Sequence, residues 1–354
     1  MEKMSSKILT FDFPNSSKNL FLHTFAPYII NPYMNYEQNR IHAAQMLLLS
    51  LVKATEEESE KSQKILHLIQ KKRCGERIPI YLIHDFPVED MDILRKTPKK
   101  IEDSAYQNVN NPQIWISEWA MIGWNTLIGQ KLIHKKTLQK GLITTHVCPL
   151  EGMEYKKNHA SINRVPIHTE GSYLSTENMI ENVTLLTLKN FSTSTTYVDL
   201  EDLFYILQQE LQSDFPLLFS KRFCFFYRDE HGLCLHHSIG AIIEMDDCDT
   251  LVRWRLQENI QKIAPADPKD TKIQRIIELV SRILKENEKQ ICTHYGDLLC
   301  MENSTGVAHG RQSLSLQDYQ NFDQNRYLLR QQSQMEIALL QSLDTDFQSF
   351  SKNR

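Results

Sequence analysis

Two segments that carry candidate metal ligands lie far apart in the chain, and this separation constrains the fold more than any other feature. In the first segment, Ile167-His168-Thr169-Glu170, an imidazole and a carboxylate lie two residues apart. If this segment is a strand, both side chains face the same side, because side chains alternate along a strand with a period of two. The best candidate for a third ligand is His309, in Thr305-Gly306-Val307-Ala308-His309-Gly310-Arg311. The fold must therefore bring two distant segments together around one ion.

The combination of residue types predicts a particular metal chemistry. Two histidines and one carboxylate on one face of an ion form the facial triad of non-haem Fe(II) oxygenases, which leaves positions open for a co-substrate and O₂. The tripeptide His-x-Glu is a weak signal by itself, because the chain has 13 His and 44 acidic residues and such pairs arise by chance. In isolation, a solvated strand end is the plainer interpretation. The metal-site hypothesis therefore depends on the surrounding sequence.

Short stretches typical of β-strands recur through the second half of the chain, and helical patterns are few. The strand candidates cluster around residues 160–168, 182–190, 222–228, 233–244, 293–302 and 326–332. A further strand is predicted within Arg77–Ile83, after an irregular or short-strand lead-in over residues 8–35. Helical spacing covers Tyr36 to about Gln70, Trp119–Gln130, Asp199–Gln212 and Lys269–Lys289. This arrangement favours an α+β fold with a double-sheet jelly-roll core, whose mouth can hold an ion, and with helices packed outside it.

The domain organisation follows from the absence of dividing features. No internal repeat or low-complexity tract interrupts the pattern, so we predict a single domain over residues 1–354. Residues 1–118 would form a lead-in of helices and strands packed on the core. Residues 119–332 would form the core, a cupin-like double-stranded β-helix, and residues 333–354 a C-terminal helix and tail.

Composition excludes several classes of partner. The net charge of -4 and the lack of a dominant basic block argue against nucleic acid or an anionic membrane as the main partner. The seven cysteines are odd in number and form no Cys-x-x-Cys pair, which suits a reducing compartment. The first residues lead into no apolar signal-like segment, and no apolar run long enough for a membrane span occurs. We therefore expect a cytoplasmic protein.

Five short segments carry a resemblance to a known family. They are Val165-Pro166-Ile167-His168-Thr169-Glu170, Thr184-Leu185-Leu186-Thr187-Leu188-Lys189, Gly296-Asp297-Leu298-Leu299, Ala308-His309-Gly310-Arg311 and Asn325-Arg326-Tyr327-Leu328-Leu329-Arg330. In order and approximate spacing they resemble the clavaminate synthase-like branch of the TauD family. This branch comprises Fe(II)/2-oxoglutarate-dependent oxygenases and includes free amino-acid hydroxylases. The resemblance is weak over residues 205–290, where the substrate selectivity of the family tends to lie.

The resemblance implies a metal site and a co-substrate site. His168, Glu170 and His309 would hold Fe(II), with 2-oxoglutarate and O₂ as co-substrates. Arg326, which lies 17 residues after His309, stands at the position of the arginine that binds the far carboxylate of 2-oxoglutarate. The guanidinium group of arginine is planar, always charged and able to donate two parallel hydrogen bonds. It therefore suits that carboxylate better than the ammonium group of lysine does. A hydroxyl beside it would come from Thr195 or Thr196, of which we favour Thr196.

The resemblance also suggests which residues contact the substrate. Gln139 is the nearest match to a glutamine that contacts a substrate amino group, although a polar residue at a strand start explains it equally well. Arg330 matches an arginine that meets an α-carboxylate, and its spacing from Arg326 directs both guanidinium groups to one face of a strand. We include Glu170 among the substrate contacts as well as the metal ligands. No separate protein acid or base is assigned, because the metal carries the chemistry.

Three functional hypotheses follow. The first is an Fe(II)/2-oxoglutarate dioxygenase that hydroxylates a free amino acid or a small derivative and releases succinate and CO₂. The second is the same chemistry on a peptide, a protein or a carrier-bound amino acid. The third is a binding module that keeps the fold without turnover, which is harder to reconcile with intact His168, Glu170, His309 and Arg326. The presence of Glu170 disfavours halogenation, because related halogenases carry a small residue there. Desaturation and ring closure remain open beside hydroxylation.

Overall fold

The computed structural model describes residues 8–25, 35–90, 115–133, 143–155, 160–190, 192–228, 233–248, 250–320 and 326–336. Helices and strands are interleaved along this part of the chain, which confirms the predicted α+β class. The α-helices are α1 (Asn15–Phe25), α2 (Tyr36–Val52), α3 (Ser59–Arg73), α4 (Trp115–Leu127), α5 (Leu200–Leu211), α6 (Thr271–Glu286) and α7 (Leu316–Gln320). None of the helices in these ranges is both long enough and apolar enough to cross a membrane.

The strands concentrate after residue 130, as the sequence predicts. The first eight are β1 (Leu9–Asp12), β2 (Ile80–His84), β3 (Gln130–Leu132), β4 (Thr144–Val147), β5 (Val165–His168), β6 (Asn182–Lys189), β7 (Thr195–Asp199) and β8 (Phe223–Arg228). The remaining eight are β9 (Cys234–Gly240), β10 (Ile243–Met245), β11 (Leu251–Trp254), β12 (Ile263–Pro265), β13 (Lys289–Ile291), β14 (Leu298–Glu302), β15 (Val307–Arg311) and β16 (Tyr327–Met335).

Within the described residues, the largest sheet contains seven strands. Its order is β1-β2-β14-β6-β16-β3, and β4 also pairs with β16. Strands β1 and β2 are parallel, whereas the other pairs in this sheet are antiparallel. The central strand β6 is almost wholly buried, which agrees with its apolar and β-branched sequence NVTLLTLK. This strand separates two apolar layers.

A second sheet of four strands, in the order β13-β7-β15-β5, faces the first. Side chains from both sheets form one apolar cluster, to which the large sheet contributes Leu82, Leu185 and Leu328 and the small sheet contributes Tyr197 and Val307. Because side chains alternate along a strand, the neighbouring residues of each strand point away from this cluster. The two sheets therefore pack face to face with a shared core.

Helices cover the outer faces of both sheets. Tyr81 and Ile83 of β2 pack in the same cluster as apolar residues of α2, α3 and α4. On the other side, Val198 of β7 and Ala308 of β15 pack in the same cluster as apolar residues of α5 and α6. The molecule therefore has helices outside, two sheets inside, and a core between the sheets. In addition, β12-β8-β9 and β10-β11 form two smaller antiparallel sheets.

Several boundaries differ from those expected from sequence. The region of helical spacing from Tyr36 to about Gln70 forms two helices, α2 and α3. The lead-in over residues 8–35 contains a further helix, α1. Strands β1 and β2, within the predicted lead-in, join the large sheet and so are part of the core framework. Strand β16 continues to Met335, beyond the predicted limit at residue 332, because residues 333–335 pair with β3. The predicted C-terminal helix and tail lie outside the described residues from 337 onward.

Candidate metal centre

Strand pairing brings the two candidate histidine ligands together. Strands β5 and β15 are antiparallel neighbours, and His309 lies directly opposite His168 in their register. The centroids of the two imidazole rings are 5.0 Å apart. A close approach of the backbones is needed here, because a Cβ atom at Gly310 would lie 2.5 Å from the carbonyl oxygen of Val165. Glycine at position 310 therefore allows β5 and β15 to pair beside the site.

Glu170 completes the cluster, but not from the strand position that the alternation argument assumed. Strand β5 ends at His168, and Glu170 lies in the turn that follows. Asn303 holds this turn: its Oδ1 accepts from the backbone N–H of Glu170 at 2.7 Å, and its Nδ2 donates to the carbonyl of Glu170 at 3.2 Å. The same Nδ2 also donates to the carbonyl of Ile180 at 2.6 Å. A buried amide from another segment thus fixes Glu170 where period two alone does not.

The three side chains converge on one point. Glu170 Oε1 lies 3.9 Å from His168 Nε2 and 3.8 Å from His309 Nε2. One ligand atom from each residue lies within 4.8 Å of the others, and no other group of this kind occurs among the described residues. The structure therefore brings together the three residues that the sequence singled out as metal ligands.

A backbone hydrogen bond orients the His168 imidazole, and burial affects the pKa of the His309 imidazole. The Nδ1 of His168 lies 2.9 Å from the carbonyl oxygen of Pro166. Because a carbonyl can only accept, Nδ1 is the donor in this contact, and Nε2 is the nitrogen that faces Glu170. For His309, burial lowers the pKa, and the charges of His168 and Arg330 act in the same direction while Glu170 opposes them. Burial therefore favours the neutral form of the His309 ring.

A cation already lies against the carboxylate. Arg330 of β16 donates from a guanidinium nitrogen to Glu170 Oε1 at 2.7 Å, the same oxygen that lies nearest the two imidazoles. Both side chains are largely buried. Arg330 thus reaches from the large sheet to Glu170, which follows strand β5 of the small sheet. This agrees with its predicted position on the face of the strand that borders the site.

A small pocket extends from the three ligands between the sheets. Its volume is about 50 Å³, and its lining residues are Val147, Val165, His168, Glu170, Leu185, Thr195, His309, Gly310, Arg311, Arg326 and Arg330. Arg326 and Arg330 both reach it, as the even spacing along one strand predicted. Burial lowers the pKa of Arg326, and the charge of Arg311 lowers it further. Burial also lowers the pKa of Arg311, to about 10. Two buried guanidinium groups therefore make one part of the pocket strongly electropositive.

The two threonines considered from sequence are separated by the alternation of β7. Thr195 lies opposite Arg311 and lines the pocket, whereas Thr196 lies opposite Gly310 and is not among the lining residues. The hydroxyl of each threonine is buried and makes no hydrogen bond within the described structure. Because neighbouring residues of a strand face opposite sides, Thr196 faces away from the pocket. The structure therefore favours Thr195, rather than the Thr196 that we favoured from the sequence, as the threonine whose hydroxyl borders the pocket.

Two further residues complete the account of the predicted site. Gln139 lies outside the described residues. Arg311, which follows His309 and Gly310, donates to the backbone carbonyls of Ser161 and Asn163 and so anchors the segment that enters β5. Sequence reasoning missed Asn303, because a lone asparagine in a turn carries no motif that links it to Glu170.

Comparison with known proteins places the fold. No protein-family model matches the chain, and no curated protein sequence matches it. Among solved structures, an asparagine oxygenase in complex with Fe(II), 2S,3S-3-hydroxyasparagine and succinate is 13% identical, with a TM-score of 0.69 over 91% of this chain and 92% of that one. The non-haem iron oxygenase OrfP in complex with Fe and α-ketoglutaric acid is 16% identical, with a TM-score of 0.67 over 92% and 93% of the two chains.

The chain therefore has the fold of these non-haem iron oxygenases. Both neighbours are described as oxygenases that bind iron, the class of protein that the sequence resemblance implies, so the resemblance is confirmed at the level of fold. Nearly the whole of each neighbour is covered, so the likeness is not limited to the strands around the three ligands.

The residues present fit an Fe(II) ion and a dicarboxylate. Two imidazoles and one carboxylate, with further space beside them, are the donor set expected for non-haem Fe(II). The buried hydroxyl of Thr195 has no hydrogen-bond partner among the described residues and shares the pocket with Arg326. Together they offer donors and positive charge at one place, as a bound carboxylate requires.

Proposed function

We propose that this protein is an Fe(II)/2-oxoglutarate-dependent dioxygenase that hydroxylates a free amino acid or a small amino-acid derivative, with release of succinate and CO₂. The observation that carries the proposal is the convergence of His168, Glu170 and His309 beside a pocket lined by arginines. It is supported by a fold shared with an oxygenase whose solved complex contains Fe(II), a hydroxyasparagine and succinate.

The metal would be held by His168 Nε2, His309 Nε2 and Glu170 Oε1. When bound, Fe(II) together with 2-oxoglutarate supplies O₂ activation and the oxidising power for the reaction. The protein holds the ligands in register. The carbonyl of Pro166 fixes the tautomer of His168, and Asn303 fixes the backbone of Glu170. Such supporting contacts commonly change metal affinity by about 10-fold to 100-fold when removed.

The co-substrate would lie in the electropositive part of the pocket. Arg326 would bind the far carboxylate of 2-oxoglutarate in a two-pronged contact, and the Thr195 hydroxyl would donate to the same group. The positive charges of Arg311 and Arg326 at the pocket also attract a dicarboxylate. The amount of positive charge in this pocket therefore favours an anionic co-substrate.

The substrate would be oriented by Arg330 and Glu170. The guanidinium of Arg330 touches one oxygen of Glu170 and also borders the pocket, so it can present its remaining N–H groups to a substrate carboxylate. The carboxylate of Glu170 can accept from a substrate ammonium. Gln139 stays a proposed contact with the same amino group. A free carboxylate and a free ammonium beside each other describe a free amino acid better than a residue inside a peptide.

The proposal extends to the architecture and the setting of the enzyme. We assign the facing sheets to a double-stranded β-helix, or jelly roll, within a single oxygenase domain. All seven cysteines are free, which supports a reducing compartment such as the cytoplasm. A small-molecule partner is favoured by a pocket that is enclosed between two sheets.

Succinate formation tests the proposal. Purified protein would be loaded with Fe(II) without oxygen and then exposed to air with 2-oxoglutarate and pools of the twenty amino acids. His168→Ala and Glu170→Ala would be assayed in parallel, with His67→Ala on α3 as a matched histidine variant away from the site. We expect turnover that rises with one pool, persists in His67→Ala and disappears in the two ligand variants.

Other outcomes separate the alternatives. Succinate formed without any amino acid, and lost in the ligand variants, would keep the chemistry and direct attention to peptides and carrier-bound amino acids. Absence of both iron binding and succinate under all conditions would contradict the enzyme proposal and leave a binding module with this fold.

A further inference from the structure

A second cavity, apart from the three metal ligands, is larger than the pocket beside them. Its volume is about 260 Å³, and none of the described residues that line it also lines the triad pocket. It lies where the end of β14 and the turn after it meet the starts of β3 and β6. The side chains of Lys72, Arg77, Gln130, Glu181 and Glu302 contribute to its lining. The wall therefore carries charges of both signs beside apolar residues such as Leu251 and Val252.

Glu302, the last residue of β14, has one oxygen in use and one without a partner. Its Oε1 accepts from the Lys72 ammonium and, at 2.9 Å, from the backbone N–H of Ile78. Its Oε2 is buried and makes no hydrogen bond within the described structure. The residue as a whole is 8% exposed. A buried carboxylate oxygen without a donor is unfavourable, so a donor inside the cavity would satisfy it.

Gln130 offers the complementary group. Its Oε1 accepts from Asn182 Nδ2 at 2.9 Å, whereas its Nε2 has, among the described residues, only a long contact of 3.9 Å with the sulfur of Met335. A thioether is a weak acceptor, so this amide N–H is free to bind a better one. The cavity therefore presents a strong acceptor at Glu302 and an available donor at Gln130. A matching ligand carries a donor and an acceptor of its own.

We propose that this cavity is a binding site for a small primary ammonium compound with a second polar group, whose ammonium donates to Glu302 Oε2. A carboxylate acceptor favours a cationic donor over a neutral one, because hydrogen bonds between charged groups are stronger. The volume lies below the roughly 300–1,000 Å³ of pockets for drug-sized ligands, so the ligand has few heavy atoms. The site goes beyond the proposed oxygenase activity and does not depend on it.

The position of the cavity allows a local readout. The backbone amide of Ile78 donates to Glu302, so its NMR resonance reports on that carboxylate. The full-length protein would be titrated with ethanolamine. Choline serves as a matched control that keeps the charge and the hydroxyl but has no N–H donor, and ethylene glycol as one that has neither charge nor N–H.

We expect ethanolamine to shift the Ile78 and Gln130 amide resonances in a saturable manner, whereas choline and ethylene glycol do not. Glu302→Gln should weaken the ethanolamine affinity about 10-fold or more, because a charge-assisted hydrogen bond is replaced by a neutral one. Val252→Phe places a ring in the cavity without altering Glu302 and should abolish the shifts. His168→Ala should keep them, because the triad pocket is separate.

Three results would overturn the proposal, the second and third of which concern the binding of ethanolamine itself. One is an equal response to ethylene glycol, which would indicate a cavity that accepts any small solute. The second is unchanged ethanolamine binding in both Glu302→Gln and Val252→Phe, and the third is no saturable shift in the wild-type protein. Because His168→Ala abolishes the proposed oxygenase activity, binding in that variant separates a failure of this proposal from a failure of the oxygenase proposal.

Discussion

At the scale of single residues, the candidate metal centre balances one carboxylate against several cationic or neutral nitrogen groups. Glu170 Oε1 lies close to both imidazole nitrogens and accepts from Arg330 at 2.7 Å. The same oxygen would therefore serve the metal and the arginine. A carboxylate can accept several hydrogen bonds or ligand bonds at once, because it has about four lone-pair positions. The arrangement places the proposed substrate contact directly beside the proposed metal contact.

The two adjacent threonines of β7 give the sharpest test of a residue role. Thr195→Val removes a buried hydroxyl that lines the pocket, and Thr196→Val makes the same chemical change on the other face of the strand. Loss of a hydrogen bond to a charged group costs about 1.5–3 kcal/mol. We therefore expect Thr195→Val to raise the KM for 2-oxoglutarate about 10-fold to 100-fold.

The control makes the comparison specific. Thr196→Val should leave the KM for 2-oxoglutarate nearly unchanged, and steady-state succinate assays on both variants measure the difference. An effect of Thr196→Val equal to or larger than that of Thr195→Val would show that the hydroxyl assignment is wrong.

At the scale of elements, the site depends on contacts between segments that are remote in sequence. Strand pairing of β5 with β15 sets the two histidines opposite each other. The turn after β14 then supplies Asn303, which bonds both the N–H and the carbonyl of Glu170. One candidate ligand, His309, is thus held by a strand ladder, whereas another, Glu170, is held by a single side chain. The second arrangement is the easier one to disrupt.

Asn303→Ala should therefore weaken the metal site. The variant leaves the backbone N–H of Glu170 and the carbonyl of Ile180 without their present partner. We expect a metal affinity lower by about 10-fold to 100-fold, as is typical when an outer contact of a metal ligand is removed. The free energy of unfolding should fall by about 1–3 kcal/mol. Mn(II) binding followed by electron paramagnetic resonance measures the first effect, and urea unfolding measures the second.

Asn178→Ala is the matched control. Asn178 is exposed, and its Nδ2 bonds only the exposed hydroxyl of Ser175 among the contacts described for it, so its removal should change neither quantity. Wild-type metal affinity in Asn303→Ala would indicate that the strand ladder alone positions Glu170.

At the scale of the whole molecule, the layered packing buries ionisable groups that do not line the triad pocket. Glu89 is 2% exposed and accepts from the backbone N–H of Ser117 at 3.0 Å and from its hydroxyl. Burial raises the pKa of Glu89 from 4.5 to about 7, although the bonds from Ser117 act in the opposite direction. His146 is also buried, its Nδ1 lies 2.6 Å from the Tyr327 hydroxyl, and burial lowers its pKa to about 3. The two groups affect stability with opposite signs.

Because the pKa of Glu89 is raised, we predict that its contribution to the free energy of unfolding decreases as pH rises. Between about pH 4.5 and 7 the unfolded chain has lost this proton while the folded chain keeps it, so folding becomes less favourable as pH rises. The full effect is roughly 3 kcal/mol. His146 acts oppositely between pH 3 and 6.5, because the unfolded chain binds the proton more readily. In the wild type these two slopes overlap and offset each other.

Glu89→Gln separates the two contributions. The variant lacks the contribution of Glu89, which decreases as pH rises. Between about pH 4.5 and 6.5 its free energy of unfolding should therefore increase with pH relative to that of the wild type. Urea unfolding of the metal-free protein at several pH values measures this difference, with the exposed Glu57→Gln as a control. Parallel curves for the wild type and Glu89→Gln would contradict a raised pKa at Glu89.

The sequence anticipated the types of element, the three residues that converge at the candidate metal centre and the presence of two arginines on one face. These features are local or depend on order along the chain: the alternation of apolar residues encodes a strand, and even spacing puts Arg326 and Arg330 on one side of it. Boundaries such as the end of β16 at Met335 were harder to predict, because they depend on pairing with a remote strand. Helix α1 was missed, since its apolar spacing is weak.

The tertiary structure alone decided which side of each element faces the site. Because successive side chains of a strand face opposite sides, the sequence indicates that Thr195 and Thr196 point in opposite directions. Only the packing of the two sheets determines which of them faces the pocket. The support of Glu170 by Asn303 was equally beyond the sequence, since a turn residue meets its partner only after two remote strands have paired. Burial of apolar surface drives that pairing without direction, so the partners of a polar group are set by the final arrangement of the layers.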